Sequence, residues 1–487
     1  LKMERKKSFA SDVLVLISAP VISQIVGLFL MPIITRLYAP EDFGLMNLLT
    51  SIVMFFTVFS TMGYHNAIIL PKSNFTARSI LHICFLFTFI ISFLVFIFFY
   101  KAKEEIATFF NTPDLINYLW LAPIIVFFNG IYETLRFWNS RLRHFNKISI
   151  SRVYRVIAQI TYRITAGLLG YATAGSLIFS NLFADLTKNI FVINNTTLKV
   201  SKEKKILYSN LATIAKRYIK FPKYSVLGGV LTKAPNIIIP YFIVLYFGQE
   251  NLGYYSLCYM VITLPISFFI SSISEALMPR IAMAKHENKH QGMIIKVYER
   301  IFSFTVFPFL ILGIFGDIIF SFLFGQEWVT AGVFMQILVF GTFSTIVFSS
   351  MTYPILISME RQEIIPINKL IHIINVAISY IIGGYYNNIF MALALFSMLQ
   401  SLQASIIGIF VLHIVEIHFF QLAKKLIYYF FLCLLFTGFF LFIKYWISFS
   451  IIFLFITIVA CSLLYYFLVL NYDVEIKDML VDALKKQ

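Results

Sequence analysis

The sequence predicts an all-α polytopic membrane protein, and three observations support that prediction. First, 60% of the 487 residues are hydrophobic and only 13% are charged, whereas soluble proteins carry about 25% charged residues. Second, the mean hydropathy is +0.84, which leaves too little polar surface to cover a water-soluble body. Third, the apolar residues form continuous runs of about 20 residues, the length that a helix needs to cross a bilayer.

Fourteen apolar runs are long enough to be membrane spans, and their continuity favours helices over the alternating pattern of a barrel. The predicted spans are Asp12–Leu37, Phe43–Leu70, Ser79–Tyr100, Leu115–Trp138, Ile148–Gly170, Ala172–Ile193, Pro222–Phe247, Gly253–Met278, Ile301–Phe324, Thr330–Ile357, Ile364–Gly384, Ile389–Leu412, Ala423–Ile443 and Ile447–Leu470.

The net charge of +16 comes from 39 basic and 23 acidic residues, and the basic residues are concentrated in alternate loops. Because positive loops stay on the cytoplasmic side, this alternation predicts that both termini are cytoplasmic and that the basic loops meet anionic lipids. No nucleic-acid partner is expected. We also expect the first apolar run to remain in place, since it is too long for a signal peptide and shows no A-x-A cleavage site.

The longest polar loop divides the chain into two halves that share landmarks. The segment Pro32–Gly44 recurs as Pro240–Gly253, at offsets of 208 to 209 residues. Chance similarity between apolar helices is the alternative, but the ordered landmarks favour a duplication of six spans, and such parallel repeats are related by an axis along the membrane normal. The predicted organisation is an N-lobe (1–194, spans 1 to 6), a basic cytoplasmic linker (195–221), a C-lobe (222–413, spans 7 to 12) and two further spans with a cytoplasmic tail (414–487).

The fifth span contains a stripe of polar residues. Arg152, Arg155, Gln159 and Arg163 are spaced 3, 4 and 4 apart, which places them on one face of a helix. Cations on one face repel each other unless water or an anion lies between them, so the stripe predicts an anion-binding cavity. The alternative for Arg152 and Arg155 is that they reach the inner headgroups, whereas Arg163 lies too deep for that.

Lys233, deep in the seventh span, is the strongest single candidate for binding an anion. It precedes Pro235 and Asn236, where a break in the helix would open the backbone to a cavity. The matching depth of the first span holds Gln24. Two carboxylates in other spans, Glu275 and Asp185, could form structural ion pairs with a buried cation or could couple transport to an ion.

Several polar aromatic residues, including Tyr64 and Tyr162, could contact sugar, although Tyr near span ends often anchors the membrane interface. The chain has no phosphate-binding loop of the form G-x-x-x-x-G-K-[ST], and its eight His and four Cys are scattered. The outside loops are short and lack acidic or His clusters. We therefore expect no enzyme site, no metal and no cofactor.

Three segments resemble Wzx-type flippases of the multidrug/oligosaccharidyl-lipid/polysaccharide (MOP) exporter superfamily. They are Ser23–Ile52, Ala67–Ser73 and Glu133–Ile157. The resemblance implies two six-helix lobes around a cationic cavity in the cytoplasmic (inner) membrane of a bacterium. It also implies that the protein moves an undecaprenyl-diphosphate-linked oligosaccharide, such as an O-antigen unit of lipopolysaccharide, to the outer leaflet. Polysaccharide polymerase or chain-length proteins would be its partners.

One departure from the family pattern concerns ion coupling. Relatives often carry an acidic residue just before the Ala of the AIILPK-like stretch, whereas this chain has Asn66 before Ala67. Glu275 occupies the matching position of the second repeat, so coupling to protons or sodium ions stays open. Two other functions also stay open: a drug or ion antiporter of the same architecture, and a non-transport scaffold of a polysaccharide assembly complex.

Overall fold

A computed structural model of the chain describes residues 23–193, 208–263, 290–349, 351–446 and 450–472. Within these ranges the chain is helical and contains no strand. The all-α prediction is therefore confirmed. The helices are α1 (Ser23–Thr35), α2 (Pro40–Thr57), α3 (Asn74–Lys101), α4 (Lys103–Phe109), α5 (Leu121–Arg141), α6 (Phe145–Leu168), α7 (Ala174–Ile193), α8 (Tyr208–Arg217), α9 (Lys220–Lys233) and α10 (Pro235–Phe247). They continue with α11 (described over 249–263), α12 (His290–Phe324), α13 (Val329–Ser344), α14 (Thr352–Ser358), α15 (Ile364–Tyr385), α16 (Ile389–Ile414), α17 (Phe419–Trp446) and α18 (Ile451–Tyr472).

Nine segments of the described ranges are long and apolar enough to cross a membrane, with the consecutive helices α9 and α10 counting as one of them. The protein is thus a multi-pass membrane protein. The number fourteen stays a prediction, because the first and eighth predicted spans lie partly outside the described residues and α6 carries several cations. The first part of the predicted linker (195–207) and both chain termini also lie outside them.

The second and the seventh predicted spans are interrupted, each for a local reason. The second span ends as a helix at Thr57, and a 3-10 helix (Tyr64–Ile69) follows the left-handed residues Met62 and Gly63, at φ 48° and 73°. The seventh span is divided at Ala234, because Pro235 has no N–H to donate to the preceding turn. Ala234 nevertheless keeps helical backbone angles, with φ −52° and ψ −44°, so the predicted break does not change the direction of the backbone at that residue.

The chain forms two compact units. One comprises Leu1–Leu264, Ser321–Trp328 and Lys369–Ala392, and the other comprises Pro265–Phe320, Val329–Asn368 and Leu393–Gln487. The first unit thus holds spans from both predicted halves. The lobe boundaries at residues 194 and 222 stay a prediction.

A reciprocal contact within the first unit supports the duplication. A Cβ atom on Gly44 would lie 2.0 Å from the carbonyl oxygen of Gln249, and a Cβ on Gly253 would lie 1.8 Å from that of Pro40. Gly44 and Gly253 are equivalent landmarks of the two repeats, and Pro40 and Gln249 are separated by the same offset. The glycine of each repeat therefore packs against the equivalent residue of the other repeat, as a two-fold axis requires of identical surfaces.

The second unit has an aromatic core in which α12, α17 and α18 meet, including Phe307, Phe440 and Tyr465. Helix α12 kinks at Phe315, whose angles of −113° and 15° are not helical. The Ile314 carbonyl beside this kink accepts hydrogen bonds from Lys444 at 2.6 Å and from Gln336 at 3.0 Å. The kink is thus stabilised by side chains from two neighbouring helices.

Candidate functional site

The first unit contains a cavity of about 570 Å³, lined by α2, α5, α6, α7, α9 and the 3-10 helix. One face of α9 forms a wall with Ser225, Gly228, Gly229, Thr232 and Lys233. These residues recur at spacings of three and four, so they lie on one side of the helix. Because four of the five side chains are small or absent, this wall leaves room for a ligand beside Lys233.

The facing wall is polar because α5 and α7 each present residues four apart. Helix α5 contributes Asn129 and Glu133, and α7 contributes Asn181 and Asp185. A spacing of four residues brings each pair to the same face, one turn apart. The cavity is therefore lined with amides and carboxylates, which are costly inside a membrane unless they face a cavity or a polar partner.

Asp185 holds two cations at this wall. Its Oδ1 accepts from Arg155 at 2.9 Å and from Lys188 at 3.0 Å, and its Oδ2 accepts from Asn129 at 3.3 Å. The Lys188 ammonium also donates to the Asn129 Oδ1 at 3.1 Å and lies 4.2 Å from the centre of the Tyr132 ring. Lys188 is thus fixed inside the protein, whereas the Arg155 side chain keeps 34% of its surface exposed and lines the cavity.

A second ion pair lies at the same wall. Arg136 donates to Glu133 at 2.6 Å, as their spacing of three residues favours. Among the described residues, Arg155 and Lys233 line the cavity together with the two carboxylates, and Arg136 and Lys188 add two further cations as ion-pair partners of those carboxylates. The excess of positive charge suits an anionic ligand.

Lys233 ends α9 and lines the cavity. It has no hydrogen bond or ion pair to any residue that the structure describes, whereas both carboxylates of the cavity already have cationic partners. Asn236 follows in α10, half-buried, and is not among the described residues that line the cavity. Glu275 lies outside the described residues.

The predicted stripe on α6 faces α7. Besides Arg155, Gln159 donates to Asn181 at 2.5 Å, and Arg163 donates to Ser180 at 2.9 Å and to Asn181 at 3.0 Å. Arg155, Gln159 and Arg163 thus share the face of α6 that meets α7, but only Arg155 among them belongs to the described lining of the cavity. Arg163 is buried between helices, with 7% of its surface exposed. Polar partners on α7 stabilise a cation that would otherwise be costly in this position.

The remaining predicted residues lie away from the described lining of the cavity. Arg152 and Gln24 are half-buried on α6 and α1. Tyr64 is buried in an apolar cluster, where its ring stacks on Phe87. Its hydroxyl donates to the Ala215 carbonyl at 3.1 Å. The half-buried Tyr162 packs against a neighbouring ring, that of Phe183.

Sequence reasoning missed Lys188, Asn129 and Asn181. Lys188 could have been identified from the sequence, since Asp185 and Lys188 are three residues apart and such a spacing favours an ion pair within one helix. Asn129 and Asn181 could not have been identified, because a neutral Asn in an apolar run is equally compatible with a hydrogen bond to the backbone of its own helix. Their importance follows only from the helices that face them.

Comparisons with known proteins identify the family and the fold of the chain. A model of the family described as "Polysaccharide biosynthesis protein" matches residues 33–333. The fold is similar to that of the lipid II flippase MurJ in an inward closed conformation, with a TM-score of 0.75 and 14% identity over 95% of this chain and 99% of that one. It is also similar to an inward-facing multidrug resistance MATE family transporter of the MOP superfamily, with a TM-score of 0.63 and 13% identity over 84% of this chain and 99% of that one.

A third similar structure is a MOP superfamily transporter from Pyrococcus furiosus, whose description reports a binding pocket of reversed polarity. Its TM-score is 0.51, with 13% identity over 84% of this chain and 99% of that one. No curated protein matches the chain in sequence. The similar structures are transporters or a flippase rather than enzymes. Since the family model spans more than half of the sequence, the chain belongs to the polysaccharide biosynthesis protein family and has the fold of MOP superfamily transporters.

Proposed function

We propose that the protein is a flippase that moves an undecaprenyl-diphosphate-linked oligosaccharide, such as an O-antigen repeat unit, from the cytoplasmic to the periplasmic leaflet of a bacterial inner membrane. Both termini are cytoplasmic in this proposal, and polysaccharide polymerase and chain-length proteins use the product. Family membership supports a role in polysaccharide biosynthesis. The fold supports transport, because MurJ and the MATE transporters share it.

One observation supports the proposal most. Lys233 lines a cavity whose two carboxylates already pair with other cations, so its charge has no counter-ion among the described residues. A diphosphate must exchange its hydration for charged, hydrogen-bonding partners when it enters a bilayer. Lys233 and the exposed part of Arg155 supply such partners.

The dimensions of the cavity agree with this assignment. Sites for small ligands have volumes of about 300–1,000 Å³, and the cavity of about 570 Å³ lies within that range. It can take a diphosphate with the adjoining sugar while the polyprenyl tail stays in the lipid. Movement between the leaflets follows from alternating access, in which the repeats tilt about a site near the middle of the membrane.

Ion coupling is a further part of the proposal. Asp185 and Glu275 are the candidates for binding a proton or a sodium ion. Asp185 forms ion pairs with Arg155 and Lys188, so uptake of a proton there would release Arg155 toward the substrate. Glu275 retains the role suggested by its position in the second repeat.

A multidrug antiporter is the second candidate, because several of the similar structures are multidrug transporters. Export of cationic drugs requires a carboxylate that is free to bind a cation. Glu133 and Asp185 are both paired with cations of the protein itself. The described part of the cavity is thus better suited to an anion.

The proposal is tested in a strain that lacks its own O-unit flippase and expresses this protein with its matching glycan. Lys233→Ala should abolish surface polysaccharide at a normal protein level, and Lys233→Arg should retain part of the activity. The matched control is Lys223→Ala, which removes the same charge from an exposed position on α9. Normal export by a well-expressed Lys233→Ala variant would contradict the assignment of the diphosphate site.

A further inference from the structure

Asn181 lines the cavity, and its carbonyl oxygen accepts hydrogen bonds from two donors. Its Oδ1 accepts from the Arg163 guanidinium at 3.0 Å and from the Gln159 amide at 2.5 Å. Both donors come from α6, which packs along α7.

Chemistry alone fixes the orientation of this amide. A guanidinium has only donors, so the atom of Asn181 that contacts Arg163 must be the oxygen. Gln159 must then present its NH₂ group to that oxygen. The NH₂ group of Asn181 is consequently directed away from α6.

The surroundings of this NH₂ group leave one donor unused. Its contact with the Thr50 hydroxyl is long, at 3.4 Å, and that hydroxyl donates its own hydrogen to the Met46 carbonyl at 2.7 Å. Thr50 also lines the cavity. An amide carries two N–H groups, and the second is not donated to any residue in the part of the chain that the structure describes.

We propose that Asn181 recognises the substrate by donating this hydrogen bond to one of its oxygen atoms. The inference rests on the proposed function and extends it. Asn181 lies one helical turn from Asp185 and its partner Arg155, so the accepting atom belongs to the diphosphate or to the first sugar. An oxygen acceptor is common to both.

Arg163 and Gln159 are positioning residues in this arrangement. They act on the substrate through Asn181, because their hydrogen bonds prevent the amide from turning its oxygen toward the cavity. This explains why a cation is retained in a buried place without contact with the cavity.

The decisive variant is Asn181→Asp, which keeps the shape of the side chain and an oxygen for Arg163 and Gln159 but has no N–H to donate. A purely structural Asn181 would tolerate it, since a carboxylate accepts from a guanidinium more strongly than an amide does. We expect normal thermal stability and a loss of export of about ten-fold, which lies between the values for a neutral hydrogen bond and one to a charged group. Repulsion between the new carboxylate and a phosphate would add to the loss, and it too requires Asn181 to face the substrate.

Two controls complete the experiment. Asn181→Leu removes the acceptor as well and should lower both stability and export. If Asn181→Asp does not accumulate, Asn181→Ser decides, because its oxygen still faces α6 but its short side chain does not reach the cavity. Wild-type export by either of the well-expressed variants, Asn181→Asp or Asn181→Ser, would overturn the inference.

Binding to the purified protein identifies the accepting group. Weaker binding of inorganic pyrophosphate by Asn181→Asp would assign the hydrogen bond to the diphosphate. Unchanged pyrophosphate binding with weaker binding of the lipid-linked oligosaccharide would assign it to the sugar, and no change in either would overturn the inference. Normal export by Lys233→Ala would instead contradict the proposed function itself, so the two failures are distinguishable.

Discussion

Asp185, Arg155 and Lys188 form a cluster of ion pairs. Substituting each of them should lower the free energy of unfolding by a different amount. Asp185→Asn leaves the Lys188 ammonium inside the protein without a counter-ion, and the Lys188 side chain is only 7% exposed. Removing one partner of a buried ion pair costs about 3–5 kcal/mol. We therefore expect Asp185→Asn to have the lowest stability of the series.

The two cations should give smaller losses. Lys188→Met leaves Asp185 paired with Arg155 but removes the donor from the Asn129 oxygen, which costs about 1–3 kcal/mol. Arg155→Met leaves Asp185 paired with Lys188, and because Arg155 is one third exposed, solvent screening limits its contribution to about 1 kcal/mol or less. Between these two cations export should follow the opposite order, with Arg155→Met losing more than Lys188→Met, since Arg155 lines the cavity and Lys188 is not part of its described lining.

The measurements are thermal unfolding of the purified variants in one detergent and surface polysaccharide at matched protein levels. The double variant Asp185→Asn/Lys188→Met serves as the control, because removing both charges should restore most of the stability that Asp185→Asn loses. The reasoning would be refuted if Arg155→Met were as unstable as Asp185→Asn, or if the double variant were no more stable than Asp185→Asn alone.

Two further predictions concern packing. Lys444→Met should destabilise the second unit by about 1–3 kcal/mol, because Lys444 bonds both oxygens of Asp317 and the carbonyl at the α12 kink; thermal unfolding measures this, and an unchanged midpoint would contradict it. Gly44→Ala should reduce the yield of folded protein, since its Cβ would meet the Gln249 carbonyl oxygen at 2.0 Å, whereas Gly228→Ala, with open space at its Cβ, should fold normally. Size-exclusion chromatography compares the two, and equal yields would rule out the close contact.

The fold was largely predictable because hydrocarbon imposes one rule on the backbone. Long apolar runs must be helical there, and the observed helices coincide with most predicted spans. The interruptions were less predictable. Pro235 predicts the one in the seventh span, but the turn at Met62 and Gly63 depends on a left-handed conformation that a lone Gly does not specify.

The candidate site was predictable in part, because charge in an apolar run is costly wherever it points. That argument identified Lys233, Arg155 and Asp185, all of which line the cavity. It could not tell a cation that faces a cavity from one satisfied by a neighbouring helix, as Arg163 is. The difference depends on Ser180 and Asn181, neutral residues whose effect requires knowing which face of α7 meets α6.

The central claim is that Lys233 binds the diphosphate of a lipid-linked oligosaccharide that the protein moves across the membrane. The most direct test is translocation of a fluorescent undecaprenyl-diphosphate-linked oligosaccharide in liposomes that contain purified wild type, Lys233→Ala or Lys223→Ala. We predict transfer between the leaflets by wild type and Lys223→Ala, with loss of transfer by Lys233→Ala. Equal transfer by all three proteins would contradict the role of Lys233, and no transfer by the wild type under any ion gradient would contradict the flippase itself.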